Sequence, residues 1–503
     1  MSISTTIPES WRLPLFWAVV DGSKAGNLSE ASRALLVGQM FTSGANAGTA
    51  LPDVPIPIGS VALAGQMFGV GSMLYQMVVA FFNCNTTQQL WGLPVAEGVG
   101  TASAGSVEVT AGEGSGLLSL YIAGQLVEVA VASTDTSPTI AANLASAINA
   151  IPSLPVTATV LTNAVTLTAQ WKGSTGDGIS IVANFLGHYG GEVFPDGLSL
   201  EITPMDGGTG EPNFVAAISA IQALEFDYVG MPYSDTGSLT TWATEYGFGQ
   251  TGRWSYTRQQ YGMILNARAD TYAGLLTWGL TKNAPVISTM AIELDSPSPI
   301  WEWTAAYCSL AALGFSDDPA RPLQTLEMPG IKSARLQYRF TQMMINSLTN
   351  SGLAIQSMAP SGQPMIMREQ TQYQLNSFGQ SDTAFGLLTV IATLQELLRR
   401  MKSAITSKYP RVKLVPDGTK IGPGQAAVTP KDIKGELVAE YVSAEYDGLV
   451  ADTPNFKKFL QVEIDDQNPN TLKVLWPPRL AGQLRQFDAL AQFRLQYPPV
   501  AVN

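Results

Sequence analysis

The chain has 503 residues, a formal net charge of −12, 46% hydrophobic residues and only 14% charged ones, which excludes a general polyanion-binding protein. At roughly 150 residues per domain the length implies about three domains, and a surface left largely to uncharged Ser, Thr, Gln, Asn and Gly favours association. Two cysteines, Cys84 and Cys308, lie too far apart for a metal or redox spacing, which argues against a disulfide framework and fits synthesis in a reducing cytoplasm.

The first residues, "MSISTTIPESWRLPLFW", lack a basic region followed by a long apolar run, so no secretory signal is expected. Residues 1–30 read as an arm: Phe16, Ala18 and Val20 alternate with Trp17 and Val19, and a polar linker, "GSKAGNLSE", follows. "RALLVGQM" (33–40) then reads as a buried strand. No charged residue occurs from Val54 to Ala96, yet Gly65, Gln66, Gly69, Gly71, Ser72 and Gln76 interrupt the run. A membrane span needs about 20 apolar residues, so a buried helix starting near Ser72 is predicted instead.

Residues 97–185 turn to Ala, Thr, Gly, Ser and Val. Short alternating runs ("SLYIAG", "LVEVAVA", "VTATVL", "AVTLTAQ") surround a helical stretch in which Ile140, Leu144 and Ile148 recur every four residues. The reading is a small α+β module inserted into a main α/β domain made of residues 31–96 and 186–300. "LSLEI", "NFVAAISAIQAL" and "FDYVGMP" read as a β-α-β unit of that main domain. Residues 301–468 form a C-terminal domain and 469–503 a C-terminal arm. A helix is predicted from Ala384 to Ser407, with Leu387, Ile391, Leu394, Leu398, Met401 and Ile405 as its buried seam. That seam leaves Gln395, Arg399 and Lys402 on the outer face. The fold class is α+β or α/β multidomain: a β-α-β core with an inserted module and extended terminal β-arms.

Chemistry is hard to place on this chain. The single histidine, His188, stands in "LGHYGG" without a G-x-S-x-G elbow anywhere, and no Gly-Lys pair exists to build a phosphate loop. "GPGQ" (422–425) reads as a turn, because Pro423 lacks an amide. The adjacent acids Asp317/Asp318 and Asp465/Asp466 do not face one another and read as turn or cap residues.

One window departs from the composition. From 399 to 434 nine basic residues meet only Asp417 and Asp432, inside a chain of charge −12. Segregated charge has a partner more often than not. With Tyr409 its only aromatic residue, the window lacks the stacking platform of a single-strand groove. A protein partner leads, ahead of a merely solvated face and of nucleic acid.

Several long segments, "EFDYVGMPYSD", "GRWSYTRQQYGMILNARADTYAGL", "SPSPIWEWTAAY", "LRRMKSAITSKYPRVKL", "DGTKIGPGQAAVTPKDIKGELVAEY" and "LWPPRLAGQLRQFDALAQFRLQY", resemble the tail sheath proteins of contractile-tailed bacteriophages, specifically the Mu-like sheath family, over most of residues 10–503. The resemblance implies a virion structural protein made in the host bacterial cytoplasm, not an enzyme, with no catalytic residue, cofactor or metal. It implies a homo-oligomeric helical stack of rings around a tail tube, joined to baseplate and neck or terminator proteins. Contraction would drive the tube through the host envelope; nucleic acid and membrane insertion play no part. A secreted adhesin or surface-layer protein is the alternative, and it would need a signal peptide.

In such sleeves the C-terminal domain lies inside, so Arg399, Arg400, Lys402, Lys408, Arg411 and Lys413 become candidate tube contacts against an acidic surface. Subunits that slide past one another while staying tethered need directional backbone pairing carried on arms. The candidates are Phe16, Ala18 and Val20 at one end. At the other are Leu472, Val474 and Trp476 in "TLKVLW" with Phe493 and Leu495 in "QFRLQY". "RLAGQLRQFDALAQ" could alternatively form an amphipathic helix.

Overall fold

The computed structural model describes residues 32–495, apart from 45, 112 and 113. The expected N-terminal arm, with Phe16, Ala18 and Val20, lies outside the described residues.

The described chain opens with strand β1 (Arg33–Gln39), a short β2 (Ile56–Ile58), helices α1 (Val61–Phe68) and α2 (Met73–Cys84), and β3 (Gln89–Val95). Ser72 caps α2, its hydroxyl accepting from the Tyr75 amide, so the apolar stretch becomes the buried helix the sequence implied. The inserted module follows: β4 (Ala102–Ala111), β5 (Gly116–Ile122), β6 (Gln125–Val131), α3 (Ser137–Asn149), β7 (Val156–Leu161), β8 (Ala164–Lys172), β9 (Ile181–Ala183) and β10 (Ser199–Asp206). The main domain resumes with α4 (Val215–Ile221), β11 (Tyr228–Gly230), α5 (Thr236–Glu245), β12 (Met263–Asp270), α6 (Tyr272–Gly279), β13 (Ile287–Glu293) and α7 (Ile300–Asp317).

These strands make a six-stranded sheet in the order β13-β12-β11-β1-β3-β2, parallel except for β2. β1 and β13 are buried nearly throughout, as strands covered on both faces must be. The insert holds two antiparallel sheets, β10-β4-β8-β7 and β6-β5-β9. Ile140, Leu144 and Ile148 on α3 are fully buried, so the four-residue spacing marked its core face.

Three expectations change here. "LSLEI" is not part of a β-α-β unit with "FDYVGMP": as β10 it pairs antiparallel with β4, so the insert runs to about residue 210 rather than 185. The β-α-β units that follow the insert are β11-α5-β12 and β12-α6-β13, and β1 and β3 are likewise parallel neighbours joined through α1 and α2. No boundary falls at 300, because α7 packs beside α2 on β1, β11 and β12, and the same core extends to Leu388, Ile391 and Ala392.

The insert is also less separate than its composition suggested. It enters and leaves through a neck in which a Cβ on Gly100 would lie 2.0 Å from Thr209 O, and one on Gly210 (φ +90°) 2.3 Å from Val99 O. Beyond the neck, Trp171 of the insert meets Trp301 of α7 edge-to-face at 5.2 Å. Gln76 ties the two together, donating to Ser153 O (2.9 Å) and accepting from Trp301 Nε1 (2.6 Å). Insert and body share one continuous apolar core.

The remainder consists of α8 (Gln342–Asn350), the hairpin β14 (Ile355–Met358) and β15 (Pro364–Arg368), α9 (Leu388–Lys408), β16 (Lys413–Leu414), β17 (Ala427–Val428), α10 (Pro430–Tyr446), α11 (Thr453–Phe459), β18 (Gln461–Ile464) and β19 (Leu472–Leu475). A second core forms from Leu397 onward, with Tyr441 and Phe456 stacked at 3.7 Å. Helix α9 therefore begins in the first core and ends in the second.

Candidate assembly surfaces

The exposed face predicted for α9 is largely engaged within the chain. Gln395, expected outside, is buried and donates to Asp227 Oδ1. Arg399 pairs with Glu225 at 2.8 Å and with Asp227, whose side chain is 4% exposed. Arg400 pairs with Glu396 and Asp447, and Lys408 with Glu436. Burial works against the Arg399 charge, but Asp227 and Glu225 outweigh it and hold the guanidinium above its ordinary pKa. Burial lifts the Asp227 carboxyl above its ordinary value, and the Arg399 charge offsets this only in part.

The predicted seam holds in part: Ile391 is fully buried, and the half-buried Met401 and Ile405 pack on the second core, but Leu387, Leu394 and Leu398 are only half-buried while Leu388, Ala392, Gln395 and Leu397 are buried. A helix that crosses from one core to another turns two different faces inward, and a single stripe cannot describe it. Of the six candidate cations, Lys402, Arg411 and Lys413 remain exposed and outside any ion pair of the described residues. Among the described residues the Lys413 ammonium donates only to Gln425 Oε1, at 3.1 Å. Arg411, Lys413 and Lys420 stand on the exposed loop around β16, so the solvated positive charge belongs to that loop more than to the helix.

The C-terminal candidates divide into two groups. β19, carrying Leu472 and Val474, forms an antiparallel hairpin with β18 of its own chain, and Leu472 and Trp476 pack on the second core. The arm therefore does not begin at 469. Residues 479–481 pair with 449–451, Gln483 donates to Ala320 O at 2.8 Å, and Arg485 forks onto Glu369. Past that point no helix or strand forms up to 495, so the amphipathic-helix alternative is not adopted. Leu484, Phe487, Leu490, Phe493 and Leu495 are 75–98% exposed. Side chains this apolar stay in water only at a free-energy cost that a partner surface relieves.

Side chains with chemical potential are used structurally. His188 is exposed, its ring 6.0 Å from that of Tyr189. Burial pushes the Cys84 thiol up to about 12, away from the reactive thiolate. Asp318 caps a turn through the Ala320 amide, and Asp465 does the same through Gln467. A crevice of about 540 Å³ opens at the carboxyl ends of β11, β12 and β13, where open α/β sheets bind ligands. Its charged groups are already committed: Arg268 to Asp270, Asp295 to Arg335, Asp177 to Ser103 and Glu211 to Ser174.

Sequence reasoning missed Glu225, Asp227 and Glu369. Glu225 and Asp227 stand two apart ahead of a strand, a spacing that puts both on one side of extended chain, but nothing local links them to Arg399.

Comparison with known proteins defines the class. Residues 380–494, which contain α9 and the second core, match the family described as Phage tail sheath C-terminal domain. The whole chain is 36% identical over 501 residues to the Mu-like prophage FluMu tail sheath protein of Haemophilus influenzae, covering 98% of this chain and 100% of the relative. The chain belongs to the Mu-like phage tail sheath family, whose members are structural components of the virion tail. Similar solved structures are the sheath tail protein of Desulfitobacterium hafniense (TM-score 0.48, 10% identity, 93% of this chain and 97% of that one) and the sheath tail protein Lin1278 of Listeria innocua (0.46, 11%, 90% and 93%). A chain of the anti-feeding prophage baseplate is similar at TM-score 0.46 and 9% identity, over 96% of this chain and 99% of that one.

Proposed function

We propose that this chain polymerises as a helical stack of rings around a tail tube, between baseplate and neck, and that contraction of the sleeve drives the tube through the host envelope for genome delivery. The observation that carries the reading is the stretch from Leu484 to Leu495, which leaves the body with five large apolar side chains in solvent. The second feature is the β18–β19 hairpin. One face of the hairpin packs on the second core, and addition of a neighbour's extended segment to it would extend the sheet through directional backbone bonds. Phe493 and Leu495 are then donor positions and Leu472, Val474 and Trp476 acceptor positions, with Phe16, Ala18 and Val20 as donors from the other end.

The exposed cations Lys402, Arg411 and Lys413 face the tube in this reading, while Arg399, Arg400 and Lys408 hold the inner domain in shape. Weak, screened pairs of about 0–1 kcal/mol each suit a contact that must release on firing. Rigid-body rotation of subunits supplies contraction without a nucleotide. Negative-stain microscopy of the purified chain tests the proposal. Hollow tubes are expected, and compact monodisperse particles at every concentration would refute it.

A further inference from the structure

We infer that α9 mechanically couples the two ends of the chain, because the residues at which both terminal segments join the body are clamped to this one helix by buried carboxylates. Arg33, which follows residues 1–32 and starts β1, donates its amide to Asp227 Oδ2 at 2.9 Å, and Asp227 N donates back to Arg33 O at 2.9 Å. The same carboxylate receives Gln395 and Arg399 from α9. At the start of α9, the Leu388 amide donates to Glu369 O at 3.2 Å. The fully buried Glu369 side chain takes both terminal guanidinium nitrogens of Arg485, one of which also reaches Thr389 Oγ1 at 3.5 Å. Arg485 is where the chain leaves the body for its exposed stretch.

The two clamps sit close together on a stiff element. Thr389 and Gln395 are six residues apart, about 9 Å along a helix axis. Between them Thr393 Oγ1 donates to Thr389 O at 2.7 Å and lies 3.2 Å from Pro319 O, while Gln483 of the C-terminal segment holds the next carbonyl, that of Ala320. Each clamp resists being drawn apart, since losing the basic partner strands a buried charge. Load applied beyond Arg485 therefore reaches Arg33 through helix and ion pairs, without crossing a loose linker. What applies the load rests on the strand-exchange reading above; the coupling itself belongs to the single subunit.

Hydrogen exchange read by mass spectrometry on the soluble full-length chain tests the coupling. The Glu369→Gln/Arg485→Met double variant neutralises the C-terminal clamp at similar volume, and Arg485→Lys keeps the charge but loses the fork, which serves if the double variant does not fold. Peptides covering 32–36 and 225–230, at the other clamp, should exchange at least about threefold faster than in the parent. Faster exchange confined to 366–389 and 483–487, with 32–36 unchanged, would show two independent anchors and overturn the inference. Failure of the parent chain to form tubes would instead count against the strand-exchange reading, and it would leave the exchange result standing.

Discussion

Arg399 and Asp227, 172 positions apart in sequence, form an ion pair that joins helix α9 to the first residue of the central sheet. Because the Asp227 side chain is only 4% exposed, Arg399→Ala should destabilise the subunit by about 2–4 kcal/mol, measured as a shift in urea midpoint at unchanged slope. Lys402→Glu, one turn away and in solvent, should stay within about 0.5 kcal/mol of the parent. Equal effects at the two positions would refute the distinction.

Glu302 supplies a pH dependence. It lines a cavity of about 340 Å³ between α2, the insert and the loop at Lys332. Burial raises its carboxyl from 4.5 to about 7, with Lys332 and the Ser298 hydroxyl pulling the other way. A folded-state pKa above the unfolded one means that the native state binds more protons between these values. Its contribution is thus full below about 4.5 and is lost as pH rises through about 7. Glu302→Gln should flatten that part of the stability curve and make the variant more stable at pH 8, by up to about 3 kcal/mol. Parallel wild-type and variant curves from pH 5 to 8 would count against it.

The insert should not be separable at its compositional edges. Deleting 98–184 would strip β10 of its partner β4 and Trp301 of its contact with Trp171. The product is expected to be insoluble or molten, with strong dye binding and no cooperative melt. Trp171→Ala alone should cost about 3–5 kcal/mol. Recovery of a cooperatively folding deletion variant would restore the independent-module view.

Truncation should separate assembly from folding. Removing 487–503 leaves Arg485 and both cores in place, so the melting curve should match the parent while tubes disappear from micrographs. Removing 469–503 also takes β19 and the partner of Glu369, and should destabilise the subunit by about 3–5 kcal/mol or more. Tubes formed by the shorter truncation would place the intersubunit bond elsewhere.

The solvated loop cations give a fifth test. Arg411→Glu, Lys413→Glu and Lys420→Glu together should leave folding unchanged and weaken cosedimentation with purified tail tube, as added salt should for the parent. Tube binding unaffected by both would leave this loop a solvated face.

Local pattern reached as far as local physics does. Helix α2 with its Ser72 cap, the α3 face of Ile140, Leu144 and Ile148, and the run Arg33–Gln39 were all readable, because capping and periodicity act within a few residues. The strand Ser199–Asp206 was readable as a strand but not as a partner of β4, since an alternating run does not say which sheet it joins. The basic window was visible as charge, whereas the pairing of Arg399, Arg400 and Lys408 with Glu225, Asp227, Asp447 and Glu436 depends on tertiary approach. Leu472–Leu475 alternated as a strand should, and only the fold shows that Gln461–Ile464 occupies one of its edges.

The order of the central sheet has a consequence for synthesis. β1 lies between β3 and β11, and β11 emerges from the ribosome only after the entire insert. At about 5–20 residues per second, the apolar edge of β1 waits on the order of ten to forty seconds for that neighbour. During this interval the nascent chain is at its most vulnerable to aggregation, so its yield should depend on chaperones and on translation speed. The greasy stretch past Arg485 is translated later still, after every strand of the sheet, so a chain acquires its adhesive end only when its body can already have closed.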